Sequence, residues 1–542
     1  MNLPRLSLRS AALASLLALA TPAAYAAPAA GFPIPDALRH TVTEPFWAEV
    51  NRFYDARGNA PIWIENGALT ERADRALAHL DNADQEGLDP AHYNAAALVR
   101  ALIDEPPRDA AAALAADMTI TGQLLHFLYE VRHGRLQDPE TKGGDTAFDV
   151  GDALTMLTTA EDIEVALQNA VPGNAPYRAL RRALSTYQAI ARKGGALNGS
   201  DGLDAPIPGG PSIKPGNRDD RVPLIRDRLN RLGDLIAEPS GAEGDLYDPI
   251  LVQSVTRFQK RHGLEPDGVV GKNTLAELNI SVAARIDQIT VNMERWRWLP
   301  GDLGDDYILV NIAGFRLQVF ELGVPSMEMA VVVGRPFRRT PVFSASMSYL
   351  EFSPTWTVPP TILKEDIIPG MRKDPELLAK KGIRIFSSWN RDARIIDPAS
   401  IDWRSPTSQL ISYRYVQPPG PKNALGRVKF MFPNQYSVYL HDTPDKNLFD
   451  RASRAYSSGC IRVERPAALA ALLLSDQPQW TEAEIARAMA LDEPVKVPLT
   501  TPIPIHITYA TAWIGEGGTI EFRPDIYGRD ASLQDALSSS PK

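Results

Sequence analysis

The hydrophobic period of the chain changes near residue 300, which commits it to helical and β-rich parts that cannot share one pattern. Through Ile286, Ile289, Met293 and Trp296 apolar residues recur at helical spacing. Beyond them, 307–312, 315–320 and 329–333 are short runs of β-branched and aromatic residues separated by Gly and Pro turns, the mark of strands. A chain of 542 residues exceeds the roughly 250–300 that one core organises, so several domains are expected. The expected fold class is α+β multidomain: a helical N-terminal domain, a small three-helix unit, and a mainly-β, sandwich-like domain.

The segments follow in order. Residues 1–26 have the form of a signal peptide, with Arg5 and Arg9, an apolar run and Ala24-Tyr25-Ala26 as a small-x-small site. The expected product is soluble, exported and without a transmembrane anchor. Residues 35–192 read as helical, with Asp89 as an N-cap, Pro90 opening the next helix, and another helix through Leu124, Phe127, Leu128 and Val131 that stops near Gly134. Residues 193–217 are rich in Gly, Pro, Ser and Asp and read as a linker or surface-hugging connection. Residues 218–280 form the three-helix unit and 303–500 the β-rich domain. Within the latter, 362–423 interrupts the strand rhythm, as a lid or as an ordinary surface excursion. Residues 501–542 are read as a C-terminal extension, frayed from Ala531.

One cysteine is present, Cys460, and an unpaired cysteine in an exported chain is unusual. It is either a small buried hydrophobe or a reactive thiol. Ser457-Ser458-Gly459 before it is a polar turn, a poor place to bury a thiol. Gly459 admits φ > 0 and close approach of a substrate, so the amides near Gly459 and Cys460 can face an oxyanion. His441 and Arg462 are the local groups able to favour a thiolate. If 436–441 is a strand, Tyr436, Val438 and Leu440 share one face and Ser437, Tyr439 and His441 the other. No metal-ligand spacing and no cofactor motif is apparent. His126 and His133, seven residues apart on one helix, lack carboxylates in register. The formal charge of −9 disfavours nucleic acid and anionic lipid as partners.

His441 followed by Ser457-x-Gly459-Cys460-x-Arg462 resembles the pattern of L,D-transpeptidases with a YkuD-type catalytic domain. The longer string from Tyr439-Leu-His-Asp-Thr-Pro to Ser-Ser-Gly-Cys-Ile-Arg-Val463 is similar to the large periplasmic YcbB-like branch. Phe258-Gln-Lys-Arg-His-Gly263, Asp267-Gly268 and Thr274-Leu275 resemble a peptidoglycan-binding type 1 module, and Gly87-Leu-Asp-Pro90 a helical scaffold domain. The resemblance implies a periplasmic enzyme in which Cys460 is the nucleophile and His441 its base. Gly459 and Ser457 would shape the oxyanion turn, and Tyr439 would lie at the active surface. Arg462 would orient a substrate carboxylate or the turn, unless it only pairs with Asp442 or Glu464. The implied substrates are peptidoglycan stem peptides, with other wall-synthesis proteins as further partners, a cap at 362–423, and acylation by carbapenems. A hydrolase sharing the same thioester, or a non-catalytic wall-binding scaffold, remains open on the residues alone.

Overall fold

The computed structural model describes residues 44–136, 148–193, 205–237, 244–390 and 392–538, so the leader expected at 1–26 lies outside the described residues. The described residues divide into two compact units, 44–78, 96–126 and 149–163 in one and the other described residues in the second. The first unit is helical and is organised around Asp117, which is fully buried. The Asp117 carboxylate accepts the backbone N–H groups of Ile62, Trp63 and Ile64 and the Tyr54 hydroxyl, while Trp63 Nε1 donates to Thr121. Asp89 does cap a short helical turn at Pro90–His92 with its side chain.

In the second unit, the small module packs three helices, Val222–Arg231, Pro249–Arg261 and Lys272–Leu278, on Ile225, Leu229, Val255 and Phe258. Gln259 knits its turn: the amide donates to Asp267, Val269 O and Thr274, and its oxygen accepts the Gly268 N–H. His262 is buried between the rings of Phe258 and Phe522, and its Nδ1 lies 2.8 Å from Phe258 O. Of the stretch read as a connection, 194–204 lies outside the described residues. The following residues hug the module instead of bridging freely. Ile213 pairs with Val270, and Ile207 and Ile213 enter the module's core.

The β-rich domain is one nine-stranded sheet: β1 (Tyr307–Asn311), β2 (Arg316–Glu321), β3 (Val324–Gly334), β4 (Phe343–Phe352), β5 (Val428–Met431), β6 (Leu440–His441), β7 (Ala455–Ser457), β8 (Ile461–Val463) and β9 (Val495–Thr508). Their order is β7-β3-β8-β6-β5-β4-β9-β1-β2. The long β3 pairs with β2 along its first half and with β8 near its end, so the sheet closes on itself instead of forming two open layers. Closure leaves the short β7 as an edge and encloses a core containing Val310, Val319, Val331, Phe352, Phe430, Leu440, Ile461 and Val463.

Two boundaries move. β9 runs through residue 501 and pairs with both β4 and β1, so 501–508 belongs to the sheet and is not an appended extension. The tail expected to fray from Ala531 is helical over Asp530–Ser538, anchored by a 2.7 Å pair between Asp530 and Arg295. The interruption at 362–423 has its own core, including Leu363, Ile368, Leu378 and Tyr415. Its four-stranded sheet recruits Trp356–Thr357, ahead of the expected start, against Arg414–Gln417.

Candidate active site

Residue alternation sets the site. Ile461 and Val463 point into the sealed core, so Cys460 and Arg462 face outward from the sheet. β6 runs parallel to β8 with Leu440 opposite Ile461 and His441 opposite Arg462. The same register continues one step back, where Ile461 N–H donates to Tyr439 O at 3.1 Å. Cys460, Arg462, Tyr439 and His441 therefore occupy one outer face, with Cys460 opposite Tyr439 and His441 two residues further along, opposite Arg462. Tyr439 and His441 rings meet edge-on at 5.7 Å, and Tyr439 lies by the thiol, where it lowers the thiol pKa against the larger upward push of burial.

Only the last two residues of the expected strand at 436–441 are in a strand. Ser437 has φ +56°, and Asn434 Oδ1 accepts the N–H groups of Tyr436 and Val438, so the chain turns there. The face assignment survives for Val438, Leu440, Tyr439 and His441, but Ser437 leaves the alternation. Its carbonyl lies 3.8 Å from Cys460 Sγ.

His441 is buried, and its Nδ1 sits 2.5 Å from the carbonyl oxygen of Asp442. A carbonyl only accepts, so Nδ1 carries the hydrogen and Nε2 is left with its lone pair. Burial first, and the Arg462 charge second, push the imidazole down to about 3. The Asp442 carboxylate faces away from this role: it accepts Arg427 N–H and pairs with Lys446 at 2.7 Å.

The turn before the cysteine is braced from three sides. The Ser457 hydroxyl donates to Cys460 O at 2.5 Å and accepts the Gly459 N–H at 3.1 Å. Thr340 Oγ1 donates to Gly459 O at 2.8 Å. Gly459 has φ +117°, a conformation that L side chains rarely adopt. Ser457 thus takes the Gly459 N–H, which leaves the Cys460 amide as the donor at this turn. Among the described residues no acceptor takes the Cys460 N–H. Arg462 pairs with Asp445 at 3.0 Å, not with Asp442 or Glu464, and its Nε is buried without a partner.

Burial raises the Cys460 thiol above the ordinary range, while Tyr439 and Arg462 partly offset it. Thiol and imidazole are both neutral at rest. Alkylation of Cys460 by iodoacetamide should therefore accelerate about tenfold per pH unit from pH 6 to 8, since only the thiolate reacts. A rate flat from pH 5 to 7 would instead reveal a standing thiolate–imidazolium pair.

Sequence reasoning missed Arg338. Its guanidinium reaches Glu365 and Asp366 of the interrupting segment at 2.7 and 2.6 Å and donates to Ser458 Oγ at 2.9 Å. One side chain thus ties the segment to the cysteine turn. No local pattern marks it, because its partners lie about 27 and 120 residues away. Arg338→Gln should raise hydrogen exchange across 360–371 and slow acylation of Cys460 roughly tenfold, the loss of a charge-assisted bond or two. Unchanged exchange would show that the contacts carry no weight.

The comparisons follow this geometry. Residues 305–497 match the YkuD family model, described as L,D-transpeptidase catalytic domain, 218–278 match the "Putative peptidoglycan binding domain", and 48–184 match the Scaffold domain. The chain therefore carries a YkuD L,D-transpeptidase catalytic domain together with a type 1 peptidoglycan-binding domain. A Haemophilus influenzae protein named "Putative L,D-transpeptidase" is 37% identical over 246 residues, 45% of this chain and 48% of that protein. The match thus spans about half the length of that relative. Among solved structures, an L,D-transpeptidase from Mycobacterium smegmatis is 13% identical, covering 38% of this chain and 58% of that one at a TM-score of 0.19. An L,D-transpeptidase from Stackebrandtia nassauensis is 12% identical, covering 57% and 97% at 0.22. Such scores are too low to bear on the site. No described helix is long and apolar enough to cross a membrane.

Proposed function

We propose that the chain is a periplasmic peptidoglycan L,D-transpeptidase that works through an acyl-enzyme on Cys460. The observation that supports this reading is the parallel register of β6 on β8, which puts Cys460 and His441 on one face of neighbouring strands, with His441 Nδ1 already at a carbonyl. His441 Nε2 takes the thiol proton as Sγ bonds to the carbonyl carbon of a stem peptide. The Cys460 N–H, with Ser457 holding the turn, receives the oxyanion. The C–N bond breaks, and the leaving D-alanine amine takes the proton from His441. The side-chain amine of a second stem's diamino acid then attacks the thioester, gives its proton to His441, and releases the thiol with a new amide cross-link. Arg462, steadied by Asp445, orients a substrate carboxylate, and Tyr439 lines the thiol. The cap held by Arg338 keeps water from the thioester. The acyl donor is a tetrapeptide stem cut after its third residue, and other wall-synthesis proteins are partners in the same compartment.

Intact-protein mass after incubation with a carbapenem tests the nucleophile. Wild type should gain one drug mass and Cys460→Ala none; an adduct on the alanine variant would defeat the assignment. Products from purified tetrapeptide stems test the second half-reaction: cross-linked dimer is expected, and tripeptide without dimer would make the enzyme a carboxypeptidase.

A further inference from the structure

Four segments far apart in sequence gather cations around one hollow of about 600 Å³. Arg257 and Lys260 project from the module's helix, Arg316 from β2, Arg454 from the residue before β7, and Arg523 from the chain after β9. Three carboxylates also line it, but they are committed. Glu328 pairs with Arg316 at 2.6 Å, Glu521 pairs with Arg523 at 2.7 Å, and Glu464 accepts the Ala330 N–H. Among the described residues, Arg257, Lys260 and Arg454 form no ion pair. The Nε groups of Arg316 and Arg454 are buried without a hydrogen-bond partner.

The arginines are also held in place. Trp513 lies under both Arg316 and Arg523, at 5.5 and 4.6 Å, and Phe315 lies under Arg454 at 5.4 Å. Stacked guanidiniums lose little freedom on meeting a planar anion, and a concave site concentrates their field. This cationic surplus stands on a chain whose net charge is −9.

The location connects the hollow to the thiol. Cys460, Arg462 and Glu464 follow one another along the outer face of the sheet at β8, and Glu464 lines the hollow. Four extended residues span about 13 Å, which is also the reach of an extended tetrapeptide. The hollow opens between the module that matches a peptidoglycan-binding domain and the catalytic domain.

We propose that this hollow is a second peptide subsite, binding the free carboxylates of a stem peptide that lies over the outer face of β8 leading to Cys460. The proposal rests on the reading that stem peptides are the substrates. Its test is a binding measurement on full-length Cys460→Ala protein, so it does not depend on the thiol reacting. A synthetic tetrapeptide stem with free carboxylates and the same peptide with its carboxylates amidated are titrated by calorimetry at low and high salt. The free acid should bind at least about tenfold tighter than the amide, and added salt should erode that advantage. Arg257→Gln/Lys260→Gln, two exposed positions, should remove most of the advantage, as should Arg454→Gln. Equal binding of acid and amide would overturn the proposal. So would variants that bind the acid as the parent does while melting at the parent's temperature. Failure of the acyl-enzyme reading would appear instead as an absent carbapenem adduct on the wild type, with this binding intact.

Discussion

Replacing His441 with glutamine should slow acylation of Cys460 by about 10²–10⁴-fold, the usual loss when a positioned general base is removed. The reason lies in the resting charges. Burial holds the thiol above its ordinary range and the imidazole down to about 3, so proton transfer must accompany attack. Wild-type acylation should accordingly vary little from pH 5 to 8, because His441 stays neutral and Cys460 stays protonated across that window. In His441→Gln the reaction must wait for spontaneous ionisation, so its rate should climb about tenfold per pH unit toward the raised thiol pKa. This pH rescue separates a base from a merely structural ring. A variant that is slow at every pH, with a slope like the wild type's, would reduce His441 to packing. The same depressed value has a stability consequence: the folded state refuses a proton that the unfolded chain accepts near 6.5. Stability from His441 is present above that pH and declines as pH falls toward 3.

Asp117→Ala should cost about 3–5 kcal/mol in the first unit, because three backbone N–H groups and a tyrosine hydroxyl lose their common acceptor at once. Each orphaned buried donor costs about 1–3 kcal/mol, and no solvent reaches the site to replace the carboxylate. Hydrogen exchange at Ile62, Trp63 and Ile64 is the direct readout, with protection expected to fall by two to three orders of magnitude, about 1.4 kcal/mol per decade. Asp117→Asn should recover much of this, since its oxygen can still accept amides and its NH₂ can donate to the Tyr54 oxygen. Protection in Asp117→Ala equal to that of the wild type would show that the segment is held by packing alone.

The residues of the site were legible because chemistry confined them to short spacings. A lone cysteine after a glycine, a histidine nineteen residues earlier and an arginine two residues later are local facts. The partners were less legible. Asp442 and Glu464 were the near choices for Arg462, yet Asp445 reaches it, because the turn after β6 carries Asp442 toward Lys446. Ser437 looked like one more alternating residue, and a left-handed backbone at a non-glycine position leaves no mark in the residue type.

The amino-acid sequence alone determined the change from helix to sheet near residue 300, the three-helix module, and the candidate thiol and imidazole, Cys460 and His441. These follow from periodicity and side-chain chemistry, which act over a few residues. The tertiary structure decided the rest: a sheet closed through β3, a braced turn before Cys460, an arginine joining the 362–423 segment to that turn, and cations from four segments around one hollow. Those depend on groups separated by tens to hundreds of residues, and pairing across such distances is set by how strands register and close, not by any neighbouring residue.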